Sequence, residues 1–286
     1  MSANTVRSEA ARALAPATPP SRPPLRPLIG AGALSLPMML FFVIPVVALL
    51  LRTSGATVWA SLTQPQAWQA IALSIRTTLT SAGLTVVFGT PLSYLLARRD
   101  FPGKRILDTF VELPTVLPPA VAGVALLVTF GRQGLLGYWL SSAGLSLAFT
   151  LAAVVLAQLF VAGPLYVRTL AIGIAGIDPD LEEAAAIDGA SRWQTFRYVT
   201  APLAYPAAVS GLVLTWARAL GEFGATILFA GNFPGRTQTM PLAIYIGFET
   251  NLDIALALSA ILIGVSFVVL ILVKLLLERD ATRRGW

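Results

Sequence analysis

Long runs without a single charged residue dominate this sequence and limit what it can fold into. No charge falls between Arg26 and Arg52, and further charge-free runs cover Thr77–Ala97, Leu113–Gly131, Gln133–Val167, Val199–Ala217 and Ile254–Val273. Most are close to the ~20 residues that an α-helix needs to cross the hydrocarbon core of a bilayer. The first run exceeds the apolar core of a cleaved signal peptide and is expected to span near Leu34–Leu51. The run from Gln133 is longer than one span. Gly134, Gly137 and Gly144 crowd its first part, so Gly134–Ser146 reads as an external turn or short interfacial helix and Leu147–Val167 as the span. The expectation is an all-α integral membrane protein with about six transmembrane helices.

Composition points the same way. Of 286 residues, 56% are hydrophobic and 12% charged, against roughly 25% charged in soluble domains. Residues 1–27, rich in Pro, Ala and Arg, read as a disordered cytoplasmic tail, and residues 28–286 as one transmembrane domain. Cys and His are both absent, which removes disulfides, thiolate and imidazole metal sites, and two of the commonest catalytic groups. The chain is expected to be non-catalytic, with no metal and no cofactor of its own.

The formal net charge of +6 is explained by where the cations fall. With the N-terminus inside, cytoplasmic segments receive Arg7, Arg12, Arg22 and Arg26; Arg98, Arg99, Lys104 and Arg105; Arg168, Arg192 and Arg197; and Lys274, Arg279, Arg283 and Arg284. External segments receive Arg52, Arg76, Arg132 and Arg236. This bias places both termini in the cytoplasm and leaves no cations that call for nucleic acid.

The longest internal connection, about 168–200, is patterned as structure. Asp178 and Pro179 offer an N-cap and first helical residue, and Asp180, Glu182 and Glu183 place negative charge where the helix dipole favours it. Leu181, Ala184, Ala185 and Ile187 form an apolar stripe, Gly189 ends the helix, and Ser191 caps a second one bearing Trp193, Phe196 and Val199. An amphipathic helix lying on lipid is usually rich in Lys and Arg on its polar face. The first helix here is acidic, which favours docking on another protein.

Glu183-Ala184-Ala185, then Gly189, Val199 and Pro202, resembles the Glu-Ala-Ala loop of ABC-type importer permeases, with Val199 in place of Ile and Ala201 in place of Leu. The resemblance implies a type I importer permease fold whose coupling helices sit in a cleft of the ATPase. By it Glu182, Glu183, Ala184, Ala185, Gly189 and Trp193 are the ATPase-coupling residues, with Glu183 against a basic residue of the ATPase. ATP and Mg would be bound by that partner. The only Gly-Lys pair here, Gly103-Lys104, is followed by Arg105 and lacks the spacing of a phosphate-cradling loop.

Two further stretches are similar to the molybdate permease subfamily. One is Leu113-Pro114-Thr115-Val116-Leu117-Pro118-Pro119 with Phe130-Gly131-Arg132-Gln133-Gly134. The other runs from Ala217-Arg218-Ala219-Leu220-Gly221-Glu222-Phe223-Gly224 to Pro234-Gly235-Arg236-Thr237-Gln238-Thr239. Sulfate permeases share Gly221-Glu222-Phe223-Gly224; the Pro-Gly-Arg-Thr-Gln-Thr segment favours molybdate or tungstate. The resemblance implies a bacterial inner-membrane homodimer with two ATPase subunits and an external oxyanion-binding protein.

Residue chemistry adds candidates for a pathway or gate. Arg218 and Glu222 are one helical turn apart, where they can neutralise each other as a gate or as a structural pair. Gly221 and Gly224 flank Glu222 and permit unwinding. Pro114, Pro118 and Pro119 remove helical donors, so the third span starts bent, or else enters at the membrane surface. A sulfate or thiosulfate permease is the alternative within the class. A stand-alone channel or secondary transporter would need a filter, relay or inverted repeat that the sequence does not display.

Overall fold

The computed structural model describes residues 25–284, with side chains from 34 to 275, and every regular element among them is a helix. The chain divides into two compact units, one ending at Ala48 and one beginning at Leu49. The first contains most of α1 (Leu25–Arg52), whose Leu34–Arg52 portion has a mean hydropathy of 2.6. The expected tail lies outside the described residues as far as Pro24. The helix already begins at Leu25, ahead of the boundary expected at Pro27, because a proline in the first helical turn removes no intrahelical hydrogen bond.

From Leu49 onward the elements are α2 (Gly55–Leu62), α3 (Pro65–Arg98), α4 (Lys104–Val116), α5 (Pro119–Phe130), α6 (Gly137–Ser142) and α7 (Leu151–Ala175). There follow α8 (Pro179–Ile187), α9 (Arg192–Thr195), a π-helical turn (Phe196–Thr200), α10 (Ala201–Leu220), α11 (Gly224–Ala230), α12 (Met240–Thr250) and α13 (Leu252–Arg284). Among the described residues five helical stretches are long and apolar enough to cross a membrane: Leu34–Arg52, Pro65–Arg98, Leu151–Ala175, Arg192–Leu220 and Leu252–Leu275. These contain five of the expected spans, with the fourth displaced towards its C-terminus, and α6 falls inside the expected Gly134–Ser146 segment.

The third span, expected as Leu113–Gly131, is different. It is divided between α4 and α5, which meet at 118°. Leu117 and Pro118 both precede a proline and adopt extended backbone, at φ −65° and ψ 137° and at φ −53° and ψ 134°, because the proline ring disfavours the α region for the residue before it. The 12 residues of α5 reach ~18 Å, short of the ~30 Å apolar core of a bilayer. A charge-free run therefore does not become one straight span here.

The centre of the bundle is α7, with α3 on one side and α10 on another. Hydrogen bonds from Ser93 Oγ to Val167 O (3.0 Å), between Thr90 and Tyr166 hydroxyls (2.8 Å) and from Arg98 to Ile177 O (3.1 Å) set α3 and α7 parallel. The pairing of Thr215 Oγ1 with Ala162 O (3.1 Å), and of Gly211 and Ala207 with Tyr166 and Gly173, sets α10 antiparallel to α7. Buried hydroxyls at Ser74, Thr77, Thr78, Ser81, Thr85 and Ser93 form one stripe of α3. Small residues of this kind permit the close helix approach on which packing in an apolar solvent depends. Arg168 on α7 holds Asp108 (3.0 Å) and Glu112 on α4, so the bent element is tied to the central helix.

These registers give the bundle two ends. Arg98, Ala175, α8, α9 and Ala201 share one, called here the loop end; the N-termini of α3 and α7, α6 and residues 231–239 share the far end.

Candidate functional site

At the loop end the local signals fold as the chemistry of the residues directs. The Asp178 carboxylate accepts from Asp180 N–H (3.1 Å), and Pro179 opens α8. Gly189 ends it at φ +87°, a left-handed conformation that costs a residue with a Cβ on the order of 1 kcal/mol. Ser191 and Gln194 exchange side chain-to-backbone hydrogen bonds (3.3 and 2.7 Å) in a capping box that starts α9.

The two glutamates of the loop part company. Glu182 accepts from Arg98 Nη2 (3.1 Å) and Nε (3.3 Å) and from Thr200 Oγ1 (2.6 Å), while Arg98 also donates to Ile177 O (3.1 Å). With side chains 13% and 18% exposed, Arg98 and Glu182 fasten α8 to the end of α3 and to the start of α10. Glu183 is exposed and makes no ion pair among the described residues. Ala184 and Ala185 lie beside it on α8. Ile187 (86% exposed) and Trp193 (66%) stand out as large apolar side chains left uncovered. Trp193 stacks on Phe196, which meets Tyr94 edge-on. The residues expected to couple therefore sit together on one projecting element. Arg98 and Thr200, which hold it in place, were not singled out from the sequence, where Arg98 read only as one cytoplasmic cation among several.

The second constellation is a paired break. α10 stops at Leu220, and Gly221, Glu222 and Phe223 are non-helical before α11 resumes at Gly224. Glu222 is 1% exposed. One of its oxygens accepts from Arg218 Nη1 (2.8 Å) and the other from Ala225 N–H (2.8 Å). The carboxylate thus neutralises a cation and caps the helix after the break, which is how a buried charge becomes tolerable.

The proline break is alongside. A Cβ on Gly224 would lie 2.7 Å from Pro119 Cβ, and one on Gly123 2.9 Å from Ala225 Cα, so α5 and α11 run together from the two breaks. Pro118 and Pro119 on one chain segment, and Gly221, Glu222 and Gly224 on another, are brought to one place. Ala122, Leu126, Val154, Ala225 and Phe229 pack behind them. Irregular backbone at membrane depth is tolerated where it is enclosed by protein or lines a cavity, and here the two breaks lie side by side. The elements α11 and α12 were not expected from the sequence, because at 7 and 11 residues neither forms an apolar run near the ~20 residues of a membrane span.

Among the described residues no group of three or more acidic, Cys or His side chains is arranged to hold a metal.

Residues 89–280 match the family model described as "Binding-protein-dependent transport system inner membrane component". The chain is 44% identical over 233 residues, covering 82% of itself and 88% of the relative, to the molybdenum transport system permease protein ModB of Mycobacterium tuberculosis. It is 40% identical over 219 residues, covering 75% of itself and 77% of the relative, to the probable sulfate transport system permease protein cysT of Nephroselmis olivacea. The fold is similar to a chain in the crystal structure of a bacterial ABC transporter involved in the import of the acidic polysaccharide alginate. That match has a TM-score of 0.64, 23% identity, and coverage of 92% of this chain and 98% of the other. With the model spanning well over half of its length, this chain belongs to the family of binding-protein-dependent transport system inner membrane components.

Proposed function

We propose that the chain is the membrane-spanning subunit of an ATP-driven importer for a tetrahedral oxyanion, with molybdate or tungstate as its cargo. The observation that carries this reading is the combination of the projecting α8–α9 loop with the 44% identity to a molybdenum transport permease. Sulfate is the second reading, favoured by the 40% identity to a sulfate permease. The chain itself makes and breaks no covalent bonds. ATP and Mg are held by two partner ATPase subunits, and an external binding protein delivers the anion.

One chain carries one docking loop, and two ATPases are served most simply by two copies related by a two-fold axis. In this arrangement both termini and the loop end face the cytoplasm, as the distribution of Lys and Arg favours. Closure of the ATPase pair displaces α8 and α9. The Arg98–Glu182–Thr200 contacts pass that displacement to α3 and α10, and α10 leads to the break at Glu222. The bundle then changes which side of the membrane the pathway faces, a switch between two packed states with the ATPases supplying the bias.

The test is uptake of labelled molybdate, tungstate and sulfate by proteoliposomes containing the permease, its ATPase and its external binding protein. Glu183→Arg reverses an exposed charge at a polar interface and is expected to lower uptake at least tenfold and weaken ATPase retention, with membrane insertion unchanged. Undiminished uptake by that variant would remove the loop from the mechanism. Transport of none of the three anions by the wild type would overturn the oxyanion reading.

A further inference from the structure

At the far end a cleft of about 810 Å³ is walled by Leu127, Val128, Ala148, Phe149 and Phe233, and its polar lining includes Arg132, Gln133, Ser146, Thr150 and Arg236. A second cleft, of about 550 Å³, shares Thr150 and Arg236 with the first and adds Trp68, Gln69 and Arg76. Neither lining contains an acidic residue. Arg76, Arg132 and Arg236 are all exposed, and none of them makes a salt bridge or a side-chain hydrogen bond among the described residues. The loop-end cations Arg98, Lys104 and Arg168 each have an acidic partner. Arg99, Arg105 and Arg192 at that end are likewise without a salt bridge, so what marks Arg132 and Arg236 is that both line one cleft holding no acidic residue.

The backbone around them is held in place. Leu135 and Leu136 N–H donate to Val128 O (2.9 Å) and Thr129 O (2.8 Å), folding the turn that carries Arg132 and Gln133 back on α5. Thr237 Oγ1 accepts from Phe233 N–H (3.1 Å), closing the turn that carries Arg236. Phe149, at φ +62°, is the one non-glycine residue with positive φ among those described. Its N–H donates to Phe229 O (3.1 Å) on α11, and its ring meets Phe233 edge-on. Backbone strain of this kind persists where surrounding contacts impose it. Three separate loops, on α5, α7 and α11, are thereby fixed around one cleft with two guanidinium groups on its rim.

We propose that Arg132 and Arg236 form a capture site for a tetrahedral dianion at the mouth of the permease, with Arg76 in the adjoining cleft extending the attractive field. Guanidinium groups present planar, paired donors that match oxyanions. A cleft lined by one sign of charge with apolar walls concentrates its counter-ion. Because the arginines are solvent-accessible, the site holds the anion weakly and releases it, as passage requires. Phe149 joins this mouth directly to α11, which begins at the Glu222 break. The proposal rests on the oxyanion reading given above.

The experiment compares wild type with Arg132→Gln/Arg236→Gln and Arg132→Lys/Arg236→Lys, each as the full complex. Labelled tungstate is dialysed against the detergent-solubilised complex at low ionic strength without the external binding protein, and uptake is measured in proteoliposomes with it. Docking of the external protein is followed separately by pull-down. The expected result is that the double Gln variant retains at least tenfold less tungstate and takes it up at least tenfold more slowly at subsaturating anion. The Lys variant should lie between it and wild type, and docking and thermal stability should be unchanged. Tungstate retention and uptake equal to wild type in the Gln variant overturn the capture site while leaving the importer reading intact. Loss of uptake together with loss of docking also overturns it, assigning the arginines to a protein interface. Absence of oxyanion uptake by wild type overturns both readings together.

Discussion

Glu222 carries two assignments that its position in the sequence only half discloses. Its spacing from Arg218 makes the ion pair legible, since residues four apart share a helix face. Its second hydrogen bond, to Ala225 N–H, exists only because the helix breaks between them. Arg218→Met leaves a carboxylate that is 1% exposed without its cation and is expected to destabilise the protein by about 1–3 kcal/mol, the partial exposure of Arg218 reducing the full cost of an orphaned buried charge. Adding Glu222→Gln removes the charge while the amide oxygen still accepts from Ala225, so stability should return to within about 1 kcal/mol of wild type. Thermal unfolding of the purified complex checks both values, and uptake with ATPase rate shows whether the pair is also a gate. Coupled wild-type transport by a stable double variant would make Arg218 and Glu222 structural residues only. Glu182 and Glu183 teach a similar lesson, because adjacent identical side chains on one short helix differ in role according to whether Arg98 lies within reach.

For the helices, short-range chemistry specified the ends and left their joining open. Asp178, Gly189 and Ser191 announce the limits of α8 and α9, since caps and a left-handed residue act within one turn. The two prolines after Leu117 announce a break, yet the 118° angle depends on α4 lying where Arg168 can reach Asp108 and Glu112, contacts made across more than fifty positions of sequence. Close packing of α5 on α11 gives a direct check. A methyl group on Gly123 would lie 2.9 Å from Ala225 Cα and O, so Gly123→Ala is expected to cost about 1–3 kcal/mol by forcing the helices apart. Gly83→Ala, in the middle of α3 with nothing within 4 Å of the added atom, should be neutral or stabilise by up to about 1 kcal/mol through helix propensity. Unfolding temperatures of the two variants in the same detergent separate the packing effect from propensity. Equal behaviour would mean that α5 and α11 are not in contact.

From Leu49 onward the chain is a bundle with chemically distinct ends, and the proposed orientation makes a prediction that the lack of cysteine renders clean. Ser191→Cys should react with an impermeant thiol reagent only after cells are permeabilised, and Gln133→Cys should react in intact cells. Labelling at 191 from outside would reverse the topology. At this scale the sequence by itself determined that the chain is apolar and helical, with a structured internal connection at about 168–200. Charge-free runs, the distribution of Lys and Arg and helix caps all report local transfer or hydrogen-bond energies that need no knowledge of neighbours. Only the tertiary structure decided that the Pro118–Pro119 and Gly221–Gly224 breaks lie side by side, that Glu182 is latched by Arg98 while Glu183 is exposed, and that Arg132 and Arg236 share one cleft. Each of these depends on which helices approach each other. In an apolar solvent that approach is selected by small residues and a few polar contacts distant in sequence, and a stripe of small residues such as that on α3 does not say which helix it will face.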